Sequence, residues 1–292
     1  MPSLDPSSAP TNLTVHVQIL FGAREYYCRL SKEYHRMGAD KGSGAPWNNQ
    51  KNPRFPLTLA DNPAGEWNSF FIRMIGERLT VQLNGQLVVD NVVMENYWER
   101  DKPIYARGQI ELQNHGNKLW FRNIYLRRIS SEDANITLSA QDTDGFNSIF
   151  NGQDLTGWTG AVENYEVKNG SIVCKSGKGG NLLTEQEYSD FVARMEFKLP
   201  PAGNNGLAIR YSGTGSPHLD GMCELQVLDS ESPKYANLDK RQYHGSAYGL
   251  VAAHRGYLRP VGEWNFQQVT VVGSTIKVEL NGFTILDTDL SQ

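Results

Sequence analysis

The segment CELQVLD, Cys223–Asp229, carries residues able to do chemistry on one side of a predicted strand. Successive side chains of a strand point to opposite faces, so Glu224 and Gln226 share one face, opposite their apolar neighbours. If the apolar side enters a core, the other face presents a carboxylate, which serves as a general base, and an amide, which binds hydroxyl groups. A solvated sheet face is the alternative interpretation of the same pattern.

Three further polar side chains lie near this strand in the sequence. Arg210 ends the predicted strand NNGLAIRY, where its guanidinium would stabilise an oxyanion or, equally, form an ion pair with a nearby carboxylate. His244 and Tyr248 belong to the loop YHGSAYG that follows Glu224. The imidazole is a second acid–base candidate, and the tyrosine offers a ring face or a phenol donor.

The carboxylates of Asp220, Glu224 and Asp229 form the nearest candidate metal set, and all are oxygen donors. Their spacing is not that of an EF-hand loop. No metal ligands and no cofactor are therefore predicted, although a structural calcium ion is compatible with these residue types.

Composition narrows the class of protein. The chain has 292 residues, a net charge of -4, 10% aromatic residues and 28 glycines. This balance predicts neither nucleic acid nor a membrane as partner, and no apolar run is long enough to span a bilayer. The first residues, MPSLDPSSAPTNLT, lack a basic region and an apolar core, so no signal peptide is predicted in this chain.

Most of the chain alternates apolar and polar residues in short runs bounded by Gly, Asn, Asp or Pro. The run FVARMEFKL alternates in this way, and a strand is favoured there over a helix. Many short strands separated by turns predict an all-β sandwich or jelly roll.

One segment of about 20 residues occurs twice in the chain. GEWNSFFIRMIGERLTVQLNG begins at Gly65 and GEWNFQQVTVVGSTIKVELNG at Gly262, always 197 residues apart. Each reads as strand, turn and strand ending at Asn-Gly, a strong hairpin signal. Trp67 and Trp264 are predicted to pack in the core or on the hairpin. The pattern indicates tandem duplication of a domain.

A weaker match lies upstream. VQIL at Val17 aligns with LQVL at Leu225, now 208 residues apart, which would make His16 and Gln18 the counterparts of the Glu-x-Gln pair. On this alignment the first copy lacks the N-terminal part of the domain, and the second copy lacks the C-terminal part.

The predicted boundaries are 1–129 for the first copy, 130–146 for a polar linker, and 147–292 for the second copy. Three explanations account for incomplete copies: a piece of a longer tandem protein, completion of the second copy by the tail of the first, or strand exchange between chains. The first is preferred, because the second leaves the front part of copy one duplicating strands that copy two already has.

Long strings in the second copy resemble the 3-keto-disaccharide hydrolase family, in the order FNGQDLTGWTG, NYEVKNGSIVCKSGKGGNLLTEQEYSDFVARMEFKLP, NNGLAIRY, GMCELQVLDS, HGSAYGLVA and PVGEWN. The first copy resembles the C-terminal part of the same domain, from KGSGAPWNNQKNP through GEWN to IELQNHGNKLWFRNIYLRRI. The resemblance implies a concanavalin A-like jelly roll, in a bacterial protein that is usually exported to the periplasm or beyond.

The resemblance also implies a carbohydrate substrate oxidised at C3. The ketone acidifies the C2 hydrogen, so a base removes it, the anomeric substituent leaves, and water adds to the enone. Such an enzyme needs a base, an oxyanion donor and a leaving-group donor. The implied catalytic residues are Glu224 as base with Arg210 and His244 as helpers; the implied sugar-binding residues are Gln226, Tyr248, Asp229, Gln18, Trp47 and His115.

Two other functions fit the same scaffold. A non-catalytic carbohydrate-binding module is one, and the replacement of Glu224 by His16 in the upstream alignment favours it for the first copy. An adhesion domain of the laminin-G type is the other. Oligomers formed by strand completion are compatible with each of them.

Overall fold

The computed structural model of the chain describes residues 12–21, 42–63, 65–112 and 118–291. Within them every paired strand runs antiparallel to its neighbour, which confirms the predicted all-β sandwich class. No helix in these ranges is long and apolar enough to cross a membrane. The strands of the first copy are β1 (Asn12–Phe21), β2 (Trp67–Ile75), β3 (Arg78–Leu83), β4 (Gln86–Val93) and β5 (Leu119–Ile129).

The remaining elements follow β5 in the chain. They are α1 (Ser131–Ser139), β6 (Trp158–Gly160), β7 (Tyr165–Lys168), β8 (Ser171–Cys174), β9 (Leu182–Thr184), β10 (Phe191–Lys198), β11 (Asn204–Ile209), β12 (Cys223–Leu228), β13 (Trp264–Val272), β14 (Thr275–Leu280) and β15 (Phe283–Asp289). The predicted strand FVARMEFKL is β10, and the two predicted hairpins are β2–β3 and β13–β14.

The first copy forms one five-stranded sheet in the order β4–β3–β2–β1–β5. Its buried face includes Phe70, Val81 and Val88. The segment 42–60 covers this face, and a side chain on Gly44 would meet all three of those residues within 3.4 Å. The glycine therefore lets the backbone of the segment approach the sheet.

The second copy is built from the sheet β10–β13–β14–β15 and the hairpin β11–β12, which share one core. Ile209 and Leu225 enter it from the hairpin, and Val269, Val278 and Ile285 from the sheet, each no more than 2% exposed. The pairs β6–β9 and β7–β8 complete the described strands. Because Leu225 points into this core, the side chains next to it on β12 point away from it.

A buried asparagine in the turn between β14 and β15 joins three parts of the second copy. Asn281 is 2% exposed and has a left-handed φ of 53°. Its Oδ1 accepts from the backbone N of Phe266 at 2.9 Å, and its Nδ2 donates to Tyr257 O and to Asn265 Oδ1, both at 2.9 Å. One side chain thus joins the turn, the start of β13 and the loop before it.

The first copy repeats this arrangement atom for atom. Asn84 has a φ of 52°, its Oδ1 accepts from Ser69 N at 2.8 Å, and its Nδ2 donates to Ala60 O and Asn68 Oδ1. These partners lie 197 residues before their counterparts. The repeated Asn of GEWN and the Asn of Asn-Gly are therefore one hydrogen-bonded pair in each copy.

The repeated tryptophans lie on the hairpin surface, in agreement with one of the two predicted packings. Trp264 is 37% exposed, and Lys198 Nζ lies 4.8 Å from its ring centroid. Arg122 Cζ lies 3.8 Å from the ring centroid of Trp67. In both copies a cation therefore covers the indole ring.

The predicted counterpart of β12 in the first copy is corrected by the strand pairing. Leu20 pairs with Trp67 in β1–β2, and Lys198 pairs with Trp264 in β10–β13. β1 therefore occupies the place of β10, whereas β12 pairs with β11 and not with β13. Gln18 takes the position of Glu196 rather than that of Gln226, and the VQIL–LQVL match is a coincidence of short apolar patterns.

The predicted linker contains the helix α1. Ser130 caps it by accepting from Asp133 N at 3.0 Å, and Ala134 and Leu138 are buried in one apolar cluster with Phe266. Ala134 and Leu138 are one helical turn apart, and two such apolar positions are the smallest pattern that makes a helix amphipathic. The remaining residues of the segment are mostly polar. This short pattern explains why the sequence suggested an unstructured linker.

The buried carboxylate of Glu77 joins the two copies. It is 5% exposed and accepts from Ile104 N of the first copy at 3.2 Å and from Thr284 N of the second at 3.1 Å. Burial raises the pKa of Glu77, although these two hydrogen bonds oppose the rise. Gly76 permits the contact, since a side chain there would lie 2.5 Å from the carbonyl carbon of Gly282.

The tail of the first copy also reaches the second. Ile104 and Ala106 pack against the second core, and Tyr257 Oη donates to Ile104 O at 3.2 Å. The strand predicted from QIELQNHG is not formed over 109–112, and its remainder lies outside the described residues. The first copy thus contributes side chains, but not this strand, to the second core.

The asparagine clamp generates a stability prediction. Asn281→Ala removes a hydrogen-bond partner from each of three buried groups: Phe266 N, Tyr257 O and Asn265 Oδ1. It also puts alanine, which tolerates the left-handed region less well than asparagine, at positive φ, so we expect a loss of about 3–5 kcal/mol. Asn169→Ala is the matched control, since Asn169 is exposed with a φ of 51°. The Asn169→Ala variant should lose about 1 kcal/mol of stability, since only the preference of asparagine for positive φ is removed there. Urea unfolding of both variants measures the difference, and equal losses would contradict a hydrogen-bonding role for Asn281.

Candidate functional site

The carboxylate of Glu224 stands on the face of β12 that points away from the second core. Its side chain is 19% exposed, and Gln226 on the same face is 5% exposed. The predicted alternation is therefore observed, but this face is a covered one rather than a solvated one. Gln226 Nε2 donates to Asn204 Oδ1 at 3.1 Å, so two amides lie side by side next to the carboxylate.

A glycine on the neighbouring strand makes room for the carboxylate. β11 and β12 pair with Gly206 opposite Gln226 and Ala208 opposite Glu224. A Cβ at position 206 would lie 1.8 Å from Glu224 Oε1. Any other residue there would displace the carboxyl group.

His218 and Tyr248 lie beside Glu224. His218 Nδ1 is 4.0 Å from Glu224 Oε2 and 2.8 Å from Ser216 Oγ. The rings of His218 and Tyr248 meet edge-on with centroids 5.6 Å apart, and Tyr248 N donates to Glu224 O at 2.8 Å. Gln242 Nε2 donates to Tyr248 Oη at 2.6 Å. The imidazole of His218 thus lies between the carboxylate of Glu224 and the ring of Tyr248.

Sequence reasoning missed His218. The loop SPHLDGM between β11 and β12 carries it, and its position six residues before Glu224 was the only available signal. A loop residue at that separation reaches the strand only if the loop folds back over the sheet, which no local pattern indicates.

The electrostatics of the cluster favour proton transfer. Desolvation raises the pKa of Glu224, and the charge of His218, in its protonated form, opposes this rise. A carboxylate with a raised pKa is a stronger base and shares a proton more readily near neutral pH. Perturbed carboxyl groups in partly covered positions are typical of catalytic sites.

Arg210 does not join this cluster, which corrects its predicted role. Its Nε donates to Ser189 O at 2.6 Å, its Nη1 to Gly273 O at 2.7 Å, and its Nη2 to Asp190 Oδ1 at 2.8 Å. The guanidinium thus ties two turns to the end of β11. The ion-pair interpretation of this residue is the one that the structure supports.

His244 is also corrected, because it lies inside the fold. It is 4% exposed and stacks on Phe197 with ring centroids 5.1 Å apart, and its Nδ1 lies 3.4 Å from Leu228 N. Burial lowers the pKa of His244 to about 4, so the ring is neutral at pH 7. A neutral imidazole packed behind β12 does not protonate a leaving group on the other face.

Asp229 serves the backbone rather than a ligand. It is 7% exposed, its Oδ2 accepts from Ala202 N at 2.8 Å, and its own N donates to Gly203 O at 2.9 Å. These bonds fix the turn that leads into β11. The predicted sugar-binding role of Asp229 is therefore replaced by a structural one.

The candidate calcium donors do not converge. Asp220 Oδ2 accepts from Ser216 N at 2.7 Å, while Asp229 is engaged with the turn before β11. Within the described ranges no group of three His, Cys, Asp or Glu residues is arranged to hold a metal ion. These residues therefore do not fit a structural calcium site.

The predicted residues of the first copy are less closely grouped. Trp47 is 37% exposed and meets Phe55 edge-on at 5.8 Å. Gln18 is placed by the backbone pairing of β1 with β2 and β5. His115 lies outside the described residues.

Comparisons with known proteins agree with the sequence resemblance. The model of the 3-keto-alpha-glucoside-1,2-lyase-like domain family matches residues 15–127 and 145–292. A 3-keto-disaccharide hydrolase of Bacteroides thetaiotaomicron is 26% identical over 171 residues, which are 50% of this chain and 59% of the relative. The chain thus spans about three fifths of the length of this curated relative.

Solved structures of Parabacteroides distasonis proteins also match. One putative glycosyl hydrolase is 24% identical with a TM-score of 0.47, covering 51% of this chain and 74% of its own. A second is 24% identical with a TM-score of 0.44, covering 47% and 68%.

The charge balance around Glu224 generates a titration prediction. We expect its carboxyl group to titrate above the ordinary glutamate range, followed by ¹³C NMR, because desolvation disfavours the charged form. His218→Gln removes a positive charge and should move the midpoint to still higher pH. A midpoint that is lowered, or unmoved by the His218 change, would contradict this electrostatic arrangement.

Proposed function

The chain belongs to the 3-keto-alpha-glucoside-1,2-lyase-like domain family, and from this we propose that it cleaves 3-keto-glycosides by proton abstraction, elimination and hydration. The observation that carries the proposal is Glu224, a desolvated carboxylate beside the imidazole of His218, which in turn contacts the ring of Tyr248. A non-catalytic sugar-binding surface has no need of a carboxyl group with a raised pKa.

The chemistry requires one strong base. The ketone at C3 acidifies the C2 hydrogen, and the Glu224 carboxylate accepts that proton. The electron pair of the C2–H bond passes to the C3 oxygen as an enolate. The enolate then reforms the ketone while the C1–O bond breaks, and water adds to the resulting enone. Two facing carboxylates, as in ordinary glycosidases, are not needed.

Tyr248 and His218 take the roles first given to Arg210 and His244. Because Gln242 donates to the phenol oxygen of Tyr248, the phenol hydrogen is available for an enolate oxygen. His218 is 41% exposed in its side chain and lies near enough to Glu224 to deliver a proton to the departing oxygen. The adjacent amides of Gln226 and Asn204 would bind substrate hydroxyls.

The remaining family expectations belong to the same proposal. The substrate is a carbohydrate oxidised at C3, and the site of action is the periplasm or the extracellular medium. Association through strand completion also remains a prediction, checked by sedimentation of the purified chain. Cell fractionation tests the location independently of activity.

The proposal is tested with Glu224→Gln. We expect the wild-type chain to release free 3-keto-glucose from a 3-keto-disaccharide and to leave the unoxidised disaccharide intact. The variant should lose about 10²–10⁴-fold in kcat, the usual contribution of a general base. The amide has nearly the same shape, so substrate binding should persist. Product release is followed by chromatography.

The control is Glu185→Gln, a change of the same charge at an exposed position. It should leave turnover unchanged. Full turnover by a folded Glu224→Gln protein would exclude Glu224 as the base, and absence of turnover in both the wild type and the control would exclude the proposed activity.

A further inference from the structure

We propose that the first copy carries a second carbohydrate-binding surface, built on Tyr97 and Trp98, which holds pyranose rings by stacking. The proposal rests on the proposed function only for the class of ligand. The surface is in the first copy, whereas Glu224 is in the second, so it would hold a glycan without taking part in its cleavage.

The exposure of these rings first indicates a ligand. Trp98 is 82% exposed and Tyr97 48%, and their rings meet at 88° with centroids 4.6 Å apart. A single exposed apolar side chain needs no explanation, but adjoining exposed aromatic rings form a patch of the kind that binds. The edge-on contact also fixes the orientation of the two rings relative to each other.

The loop that carries the rings is held rigidly. Asn96 is 7% exposed, and its Oδ1 accepts from the backbone N of Trp98 at 3.2 Å and of Glu99 at 3.0 Å. Its Nδ2 donates to Pro103 O at 3.0 Å, which closes the loop. The indole is therefore held outward by a preorganised backbone instead of folding onto the sheet.

The carboxylate of Glu95 ties this loop to the segment that precedes β2. Glu95 accepts from the backbone N atoms of Gln50, Lys51 and Asn52 at 2.7–2.9 Å and pairs with Arg100 at 3.0 Å. Although desolvation acts in the opposite direction, these hydrogen bonds hold the pKa of Glu95 below its usual range. Glu95 is therefore an ionised clamp between the two loops.

Arg100 ties the ring of Tyr97 to the backbone of the segment that precedes β2. Its Nη1 donates to Asn48 O at 2.9 Å, and its Cζ lies 5.2 Å from the ring centroid of Tyr97. The guanidinium thus bridges the two clamped loops beside the exposed rings of Tyr97 and Trp98.

The chemistry of the patch suits a sugar better than a protein. The segment ENYWERDK contains no aliphatic side chain, so the apolar surface that its loop offers is aromatic. The C–H face of a pyranose stacks on such a ring, and its hydroxyls are bound at the rim by charged groups, here Arg100 and the Lys102–Glu99 pair. A protein hot spot, by contrast, is normally ringed by further packed contacts that exclude water.

The experiment is isothermal titration of the whole chain with cellohexaose and with maltohexaose. We expect saturable binding to at least one of them, and Trp98→Ala should weaken it about tenfold or more, the loss expected when a stacked indole surface is removed. Trp120→Ala is the matched control, since Trp120 is a 39% exposed indole on β5, at the opposite edge of the sheet from β4, the strand that leads into the loop of Trp98. The affinity of the Trp120→Ala variant for the hexasaccharide should equal that of the wild type.

Binding and cleavage are separated by the other variants. Glu224→Gln should bind the hexasaccharide as the wild type does, and Trp98→Ala should still release 3-keto-glucose from the small keto substrate at the wild-type rate. The binding assay therefore remains interpretable even if no turnover is found. Because Trp98 is largely exposed, its removal should leave the thermal midpoint unchanged.

Three results would overturn the proposal. They are absence of saturable binding to both hexasaccharides, full binding by Trp98→Ala, and self-association in sedimentation that Trp98→Ala abolishes while neither sugar binds. The last would identify the patch as an interface between copies of this chain.

Discussion

One asparagine side chain in each copy, buried in the second copy and half-buried in the first, joins a loop, a turn and a strand on which the rest of that copy is built. The side chain of Asn281 accepts from the backbone N–H of Phe266 at the start of β13 and donates to the backbone carbonyl of Tyr257 in the loop before it. Such groups would be costly to leave unpaired away from water. The β13–β14 hairpin is in turn the layer against which Leu225 packs. The orientation of Glu224 therefore depends on this clamp.

The two copies are held together by contacts of the same polar kind. Glu77 accepts from the backbone of both, and Arg78 forms an ion pair with Glu279 at 3.2 Å. Apolar side chains of the first tail, such as Ile104, cover part of the second core. The contacts between the copies thus join unlike parts of the two, while each copy has its own asparagine clamp.

Two glutamates illustrate how environment separates a structural carboxylate from a chemical one. Glu95 receives three backbone N–H groups and an arginine, so its charged form is stabilised and its pKa is lowered. Desolvation disfavours the charged form of Glu224, and the charge of His218 offsets this only in part, so the pKa of Glu224 is raised. The same functional group is therefore a clamp in one loop and a candidate base on β12.

The sequence by itself determined the all-β class, the duplicated hairpins and the shared face of Glu224 and Gln226, because alternation and turn chemistry are local properties of the chain. Only the tertiary structure decided the partners of the polar side chains. His218 reached Glu224 through a folded loop, whereas Arg210 and His244 found backbone and core partners instead. β1 took the place of β10, because strand position is set by pairing over many residues rather than by four matching letters.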